Sequence, residues 1–250
     1  MTPPRPAISP YHQPGFYDEA LAKGRHRDIV GGRWDETGRL QMQLLLAAGL
    51  DRHDHLLDIG AGALRLGCRA VPYLDPGHYW ATDLSAALLH RGYDLELTDK
   101  SRLPMDHLVE DADFGLPTIP ATISYAIAFA VFTHLPLDHL RQALPTIRTR
   151  FPALKTLLFT AFVAPDPATA HRPVRQPDGV VTHADRAPYH HLAEAILSAA
   201  DAAGFDASLS DPHLPRGQQL CTAIPRTGIP RTAIPRTASP RTALPATAIA

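Results

Sequence analysis

The segment LLDIGAGALRLG, residues 56–67, carries an apolar stretch into Asp58, then Gly60 and Gly62, then helical spacing. Glycine at those two positions lets backbone come close to a ligand lying across a strand end, and it supplies positive φ where a turn needs it. Asp83 follows 25 residues after Asp58, near the offset at which an acid accepts both hydroxyls of an adenosine ribose. The third glycine of a dinucleotide fingerprint falls at position 65, which is Arg65, so the close helix approach that a pyrophosphate uses is missing. A ligand without phosphates fits better. Histidine is the natural proton carrier near neutral pH, and His134, His183, His190 and His191 stand near the ends of predicted elements. The dense run HADRAPYHH, residues 183–191, matches no established metal-ligand frame, so no metal is expected there.

These residues need a scaffold, and the pattern supplies one by alternation. Leu40, Leu44, Ala47 and Ala48 share one face of a predicted helix over 35–48, with Gly49 as its stop. A short strand is predicted at 56–59, helical spacing from 64 to 73, and a second strand at 78–82 that ends at Asp83. Ser85 then suits the N-cap of a helix running to His90. Strands are predicted at 108–110, at 123–131 and at 154–163, with Leu137, Leu140 and Leu144 on one face of the helix between the last two. After a proline-rich loop over 165–187, Pro188 suits the first turn of a helix bearing Leu192, Ile196, Ala199 and Ala203, with Gly204 at its end. His190 and His191 then fall on that helix. Two final strands are predicted at 205–209 and 218–223. The fold class is therefore α/β, Rossmann-like and doubly wound, with a mainly parallel seven-stranded sheet and helices on both faces. Ligands of such sheets sit at the carboxyl ends of the strands.

Composition narrows the field further. At 250 residues, with 45% hydrophobic and 20% charged residues, the chain has ample length for a core. Lys plus Arg is 24 against 25 acids, and no basic stripe interleaves with aromatics, which argues against dedicated nucleic-acid binding. No signal peptide is expected from the proline-rich opening residues, and no 18-residue apolar run occurs. Cys68 and Cys221 build no disulfide framework, so a reducing, cytoplasmic setting is expected without a membrane partner. From Thr222 to Ala246 a five-residue unit repeats with Pro225, Pro230, Pro235, Pro240 and Pro245. Proline at that period removes donors and opposes both helix and central strand, which predicts an extended, disordered tail over 224–250. The expected organisation is a proline-rich segment over 1–24, a domain over 25–223, and the tail.

The strand-to-turn segment with Asp58, Gly60 and Gly62, followed by Asp83 at the end of the next strand, resembles the class I S-adenosylmethionine-dependent methyltransferases over roughly residues 25–223. VEDADF and YAIAFAVFTHL resemble that family's third- and fourth-strand motifs. HRDIVGGRWDETGRLQ, LDPGHYWATD, VFTHLPLDHLR and LPRGQQL resemble a bacterial subgroup whose substrates are mostly unassigned. The resemblance implies S-adenosylmethionine as cofactor, S-adenosylhomocysteine as product, and cofactor contacts at Asp58, Gly60, Ala61, Gly62, Asp83, Leu84, Asp111, Ala112 and Phe129. Asp113 competes with Asp111 for the place near the adenine amino group. The chain departs from the family at Ala61, where many relatives have cysteine, at Ala126, where an acid often stands, and at FPALK, which replaces a PGG turn.

Methyl transfer from a sulfonium depends mostly on positioning, and a base is needed only when the acceptor must lose a proton. His134 and His190 are the candidate bases, and each also has an ordinary structural reading. Trp34, His183 and His191 are candidates for the acceptor side; Trp34, with Asp35, forms a lid or packs its helix down. Arg65 meets a ligand carboxylate or, more ordinarily, a surface ion pair. AFAV at 128–131 lacks the Asp/Asn-Pro-Pro-Tyr/Phe motif of base-methylating relatives, and neither cysteine sits at a strand end for cytosine-C5 chemistry. The expected function is O- or N-methylation of a small molecule, such as a secondary metabolite, by a monomer or homodimer. Alternatives are a cofactor-binding module without turnover, or an enzyme acting on a peptide that includes its own repeat tail.

Overall fold

Leu56, Leu57, Asp58 and Ile59 are all buried, which places β1 (Leu56–Ile59) at the centre of a sheet covered on both faces. In the computed structural model, which describes residues 9–13, 15–210 and 214–227, β1 pairs in parallel with β2 (Tyr79–Asp83). β3 (Leu108–Glu110) lies outside β2. On its other side β1 pairs with β4 (Tyr125–Ala128), and β5 (Thr156–Val163) follows beyond, again in parallel. A small antiparallel hairpin, β6 (Val174–Arg175) and β7 (Val181–Thr182), precedes β8 (His190–His191), which adds to the end of β5. β10 (Gln219–Pro225) inserts antiparallel between β5 and β9 (Phe205–Leu209). The main sheet order is β3-β2-β1-β4-β5-β10-β9. The mainly parallel seven-stranded sheet expected from the alternation is present, with β8 as an addition.

Alternating side chains feed two cores, as the period of a strand requires. Leu57, Ile59, Ala126, Ala128, Leu157 and Phe159 face one layer, where α6 (Leu137–Arg150) and α7 (Ala193–Ala202) contribute Leu140, Leu144, Ile147 and Ile196. Leu56, Tyr125, Ile127 and Leu158 face the other, against Leu45 of α3 (Trp34–Ala47), Val71 of α4 (Gly67–Tyr73) and Leu89 of α5 (Ala86–Glu96). Ser85 caps α5 as predicted, its Oγ accepting the Leu88 N–H at 3.2 Å. Two short helices, α1 (Asp18–Ala22) and α2 (His26–Ile29), precede α3.

The strand expected at 123–131 is shorter, Tyr125–Ala128, and the helix expected to end at His90 runs on to Glu96; the larger departures lie elsewhere. The loop over 165–187 contains the β6–β7 hairpin. The helix predicted from Pro188 begins at Ala193. The four residues before it, 189–192, are held extended, because His183 bridges Tyr189 and β8 pairs Phe162 with His190 and Val163 with His191. Sheet pairing overrides the helical spacing there. In addition, Thr222 to Pro225 of the first repeat unit belong to β10. The proline lies at the end of that strand, opposite Phe205, where a missing donor interrupts no ladder. The remainder of the tail, from residue 228, lies outside the described residues.

Candidate functional site

The carboxyl ends of β1, β2, β3 and β4 open into one cavity of about 210 Å³. At its floor the Gly60 and Ala61 N–H groups both donate to the Thr82 carbonyl, at 2.7 and 2.9 Å. Gly60 (φ 70°) and Gly62 (φ 57°) adopt the left-handed conformation. A Cβ on Gly60 would lie 2.5 Å from Val131 Cγ2, and one on Gly62 2.8 Å from Val30 Cγ1. Backbone conformation and the close cavity wall thus both require glycine.

Asp83 closes β2 and is 8% exposed. Its Oδ2 accepts the Gly62 N–H at 2.9 Å and its Oδ1 the Ser85 N–H at 3.0 Å. Burial pushes its pKa up to about 6 against the pull of those amides. Each oxygen keeps acceptor capacity on the cavity side. Asp111 and Ala112, after β3, line the same cavity, as do Ala61, Leu84 and Phe129. Asp111 also holds its own loop, accepting the Leu116 N–H at 2.8 Å and the Gly115 N–H at 3.2 Å. Burial first, against these amides, raises its pKa. Of the two competing acids, Asp111 lines the cavity and Asp113 does not.

Asp58 is placed elsewhere than expected. It is absent from the cavity wall and instead accepts the Tyr79 hydroxyl at 2.7 Å beneath the glycine turn. Both groups are buried, and desolvation pushes the Asp58 pKa up to about 7. It supports the turn from below. His190 is likewise corrected: it is 2% exposed, with Nδ1 2.8 Å from Thr182 Oγ1 and Nε2 2.8 Å from the Ala170 carbonyl. Both nitrogens are engaged away from the cavity, which leaves this histidine a structural role. His191 Nε2 points to the Leu135 carbonyl at 3.4 Å, and neither His191 nor His183 lines the cavity. Trp34, like Tyr17, Ile29 and Val30, packs against Leu21, Ala63 and Leu88, and the Arg27 guanidinium sits 5.1 Å from its ring. It holds the N-terminal segment down and is no lid. Cys68 and Cys221 are also outside the cavity, and burial pushes Cys221 up to about 12.

His134 is brought to the site. It ends a 3₁₀ turn (Phe132–His134) after β4 and lines the cavity, with Tyr11 edge-on to its ring at 4.8 Å. Burial, with a smaller push from the Arg216 charge, lowers its pKa to about 4, so the imidazole is neutral at pH 7.

Ser9, Tyr11, His12, Tyr17 and Val30 bring the N-terminal part of the chain to the cavity wall. Tyr11 and Tyr17 stack at 6.2 Å over the cavity, and burial raises both phenols above their usual range. The segment is fastened by Glu96, which takes Arg27 through two hydrogen bonds of 2.7 and 2.6 Å and His26 at 2.6 Å. Sequence reasoning missed Tyr11 and Tyr17, since aromatic residues in a proline-rich segment carry no positional signal. It left Arg65 between a ligand carboxylate and, more ordinarily, a surface ion pair. The Arg65 guanidinium lines the cavity, Nη1 donating to the Val30 and Gly32 carbonyls at 3.0 and 3.3 Å, while its buried Nε has no partner among the described residues. Arg216, from the loop before β10, joins it and donates from Nη2 to the Gly31 carbonyl at 2.9 Å. Its position within LPRGQQL was the only available signal.

No protein-family model and no curated protein matches the chain. Solved structures do. A magnesium protoporphyrin IX methyltransferase from Synechocystis PCC 6803, with bound S-adenosylmethionine, superposes with a TM-score of 0.57 at 13% identity, covering 87% of this chain and 94% of its own. An amino pentose methyltransferase from Micromonospora echinaspora, involved in calicheamicin biosynthesis, gives 0.54 at 16% identity, covering 83% and 96%. An O-methyltransferase family protein from Burkholderia thailandensis gives 0.53 at 14% identity, covering 85% and 64%. Among the described residues no helix is long and apolar enough to cross a membrane. In its sheet order and in its cavity at the strand ends, the chain has the fold of the class I S-adenosylmethionine-dependent methyltransferases.

Proposed function

We propose that the chain is an S-adenosylmethionine-dependent methyltransferase that acts on an oxygen or nitrogen of a small molecule, of the secondary-metabolite kind. The observation that carries this reading is the Asp83–Gly62 pair at the open strand ends. It leaves a carboxylate aimed at the cavity directly beside backbone that tolerates no side chain. The residues present fit the cofactor. Asp83 has acceptor capacity for two ribose hydroxyls, Leu84, Ala112 and Phe129 give apolar walls for a planar base, and the Gly60–Gly62 backbone borders the remaining space. Arg65, with its unpaired Nε, suits the amino-acid carboxylate.

When bound, S-adenosylmethionine supplies an electrophilic methyl group. The chain's own work is to hold the acceptor in line and to exclude water, which the Tyr11–Tyr17 roof does. His134, neutral at pH 7 and making no side-chain hydrogen bond among the described residues, is available to take a proton from the acceptor at a ring nitrogen. Its lowered pKa suits an acceptor that is itself acidic better than a simple alcohol. An acceptor roofed in this way is a small molecule.

Calorimetric titration with S-adenosylmethionine and S-adenosylhomocysteine tests the reading. Micromolar binding is expected, reduced at least tenfold in Asp83→Ala. Absence of binding to protein shown to be folded overturns it.

A further inference from the structure

The cavity is electrically divided. Asp83 and Asp111 lie at the ends of β2 and β3, while Arg65 follows the turn after β1 and Arg216 precedes β10, both on the cavity wall. Both guanidiniums grip the same short run of backbone, Arg65 through Val30 and Gly32 and Arg216 through Gly31. Like charges held this close disfavour one another: after burial, the Arg216 charge further lowers the proton affinity of Arg65 and of His134. Asp178 accepts the Arg216 backbone N–H at 3.1 Å and is also paired with Arg33 at 3.1 Å. Asp178 is not a cavity residue. Among the described residues Arg216 Nε and Nη1 make no hydrogen bond.

Arg216 is also well positioned. Thr160 Oγ1 accepts the Ala130 N–H at 2.7 Å and donates to Gln218 Oε1 at 2.6 Å. That chain ties the loop before β10 to the ends of β4 and β5, the His134 side of the cavity. The loop carries Arg216 in the left-handed region at φ 65°, a conformation uncommon for arginine. Phe162, Leu135, Val180 and Pro188 supply apolar wall beside it.

On the methyltransferase reading, the cofactor brings one carboxylate, for which Arg65 suffices, together with a sulfonium and an ammonium. Positive charge therefore remains uncompensated on the acceptor side. We propose that the acceptor is a carboxylate-bearing small molecule with an apolar body, and that the Arg216 guanidinium receives its carboxylate. Nη2 carries two N–H groups and gives one to Gly31, so the edge it shares with Nε or the edge it shares with Nη1 keeps two free donors, a planar fork that matches one carboxylate. Arg216 is thereby a specificity-determining residue, while His134 and Tyr11 face the acceptor body.

The test uses matched probes on the full chain saturated with S-adenosylhomocysteine: benzoate, 4-hydroxyphenylacetate, anthranilate and indole-3-acetate, each against its primary amide, by calorimetry. At least one carboxylate is expected to bind tenfold tighter than its amide. Arg216→Gln is expected to abolish that preference while the S-adenosylhomocysteine affinity stays within twofold. Arg216→Asn, which tolerates the left-handed conformation, serves as the second variant if Arg216→Gln does not fold. The proposal is overturned if no carboxylate is preferred to its amide, or if the preference survives both variants. A tenfold loss of S-adenosylhomocysteine affinity in the variants overturns it as well, since Arg216 then holds the cofactor. Failure of the methyltransferase reading shows separately, as absence of S-adenosylhomocysteine binding to wild type, and the same probes then report carboxylate preference on the protein alone.

Discussion

The Gly62 N–H donates to Asp83 Oδ2 at 2.9 Å, so the turn after β1 and the acid that ends β2 form one unit. The bond explains why the two motifs recur at a fixed offset: the acid orients itself by the backbone of the turn it serves. Asp83→Asn retains the shape and one acceptor oxygen but loses the charge and an acceptor site. Hydrogen bonds to a charged group contribute about 1.5–3 kcal/mol. The Kd for S-adenosylhomocysteine is therefore expected to rise tenfold or more, while circular dichroism stays native. An unchanged Kd would reduce Asp83 to a turn support.

Gly60 is constrained twice, by φ 70° and by Val131 Cγ2 at 2.5 Å from a would-be Cβ. Gly60→Ala should lower the unfolding free energy by about 1–3 kcal/mol. In a double-mutant cycle, Val131→Ala relieves the contact and leaves the backbone strain. Part of the loss should therefore return in the double variant, read by urea unfolding. Full additivity of the two losses would mean that Val131 moves aside freely.

Asp58 and Asp83 give stability a pH dependence of unusual sign. Burial raises their pKa values from 3.8 to about 7 and about 6. Between the ordinary value and the raised one, the folded chain holds more protons than the unfolded chain, so stability falls as pH rises through that window. Their contribution is fully present only below the ordinary value. Asp58→Asn keeps an acceptor for Tyr79 and removes one of the two titrations. Its unfolding free energy should drop less than wild type's between pH 4.5 and 7.5, by at least about 1 kcal/mol, since one pKa unit is worth about 1.4 kcal/mol. Parallel pH profiles of the two proteins would refute the assignment.

His134 should act on turnover rather than on cofactor binding. With its pKa held at about 4, the imidazole stays neutral across the working range, and kcat/KM should show no inflection near the usual histidine value. His134→Asn is expected to lower kcat about 10²-fold, the lower end for lost general-base help, with the S-adenosylhomocysteine Kd unchanged. The two together separate a proton carrier from a packing residue, which would shift both.

The fold was legible because strands buried on both faces read as short apolar runs, and β1 and β3 were bounded to the residue. One side of the cavity was legible for a related reason: Gly60, Gly62, Asp83 and Asp111, proposed to face the cofactor, sit at strand ends and line it, where chain position and space coincide. The acceptor half was not. Tyr11, Arg65 and Arg216 meet only through tertiary contacts to Val30, Gly31 and His134, and no local period encodes such a meeting. His190 misled because its helical spacing was real, yet two strand pairings to β5 outweighed it. Asp58 misled differently: its motif places it correctly in the chain, but the alternation of a strand turns its side chain toward Tyr79 and away from the cavity.

The first repeat unit should prove separable from the others. Ile224 and Pro225 pair with Asp206 and Phe205, and the Arg226 N–H donates to the Gly204 carbonyl at 2.9 Å. Arg148 Nη2 donates to the Arg226 carbonyl at 2.9 Å, and Arg226 Nη1 meets Asp201 Oδ1 at 2.8 Å. The ion pair is largely exposed on the acid side and contributes little. The backbone and guanidinium hydrogen bonds contribute about 1 kcal/mol each. A chain ended after Thr227 retains all of these contacts and should melt with the full chain. Ended after Ala223, it loses them together and should melt lower by roughly 5–10 °C, at about 2–4 °C per kcal/mol for a domain of this size. Equal melting of the two truncations would mean that β10 is complete at Ala223, and that the pairing of Pro225 with Phe205 contributes nothing to the sheet.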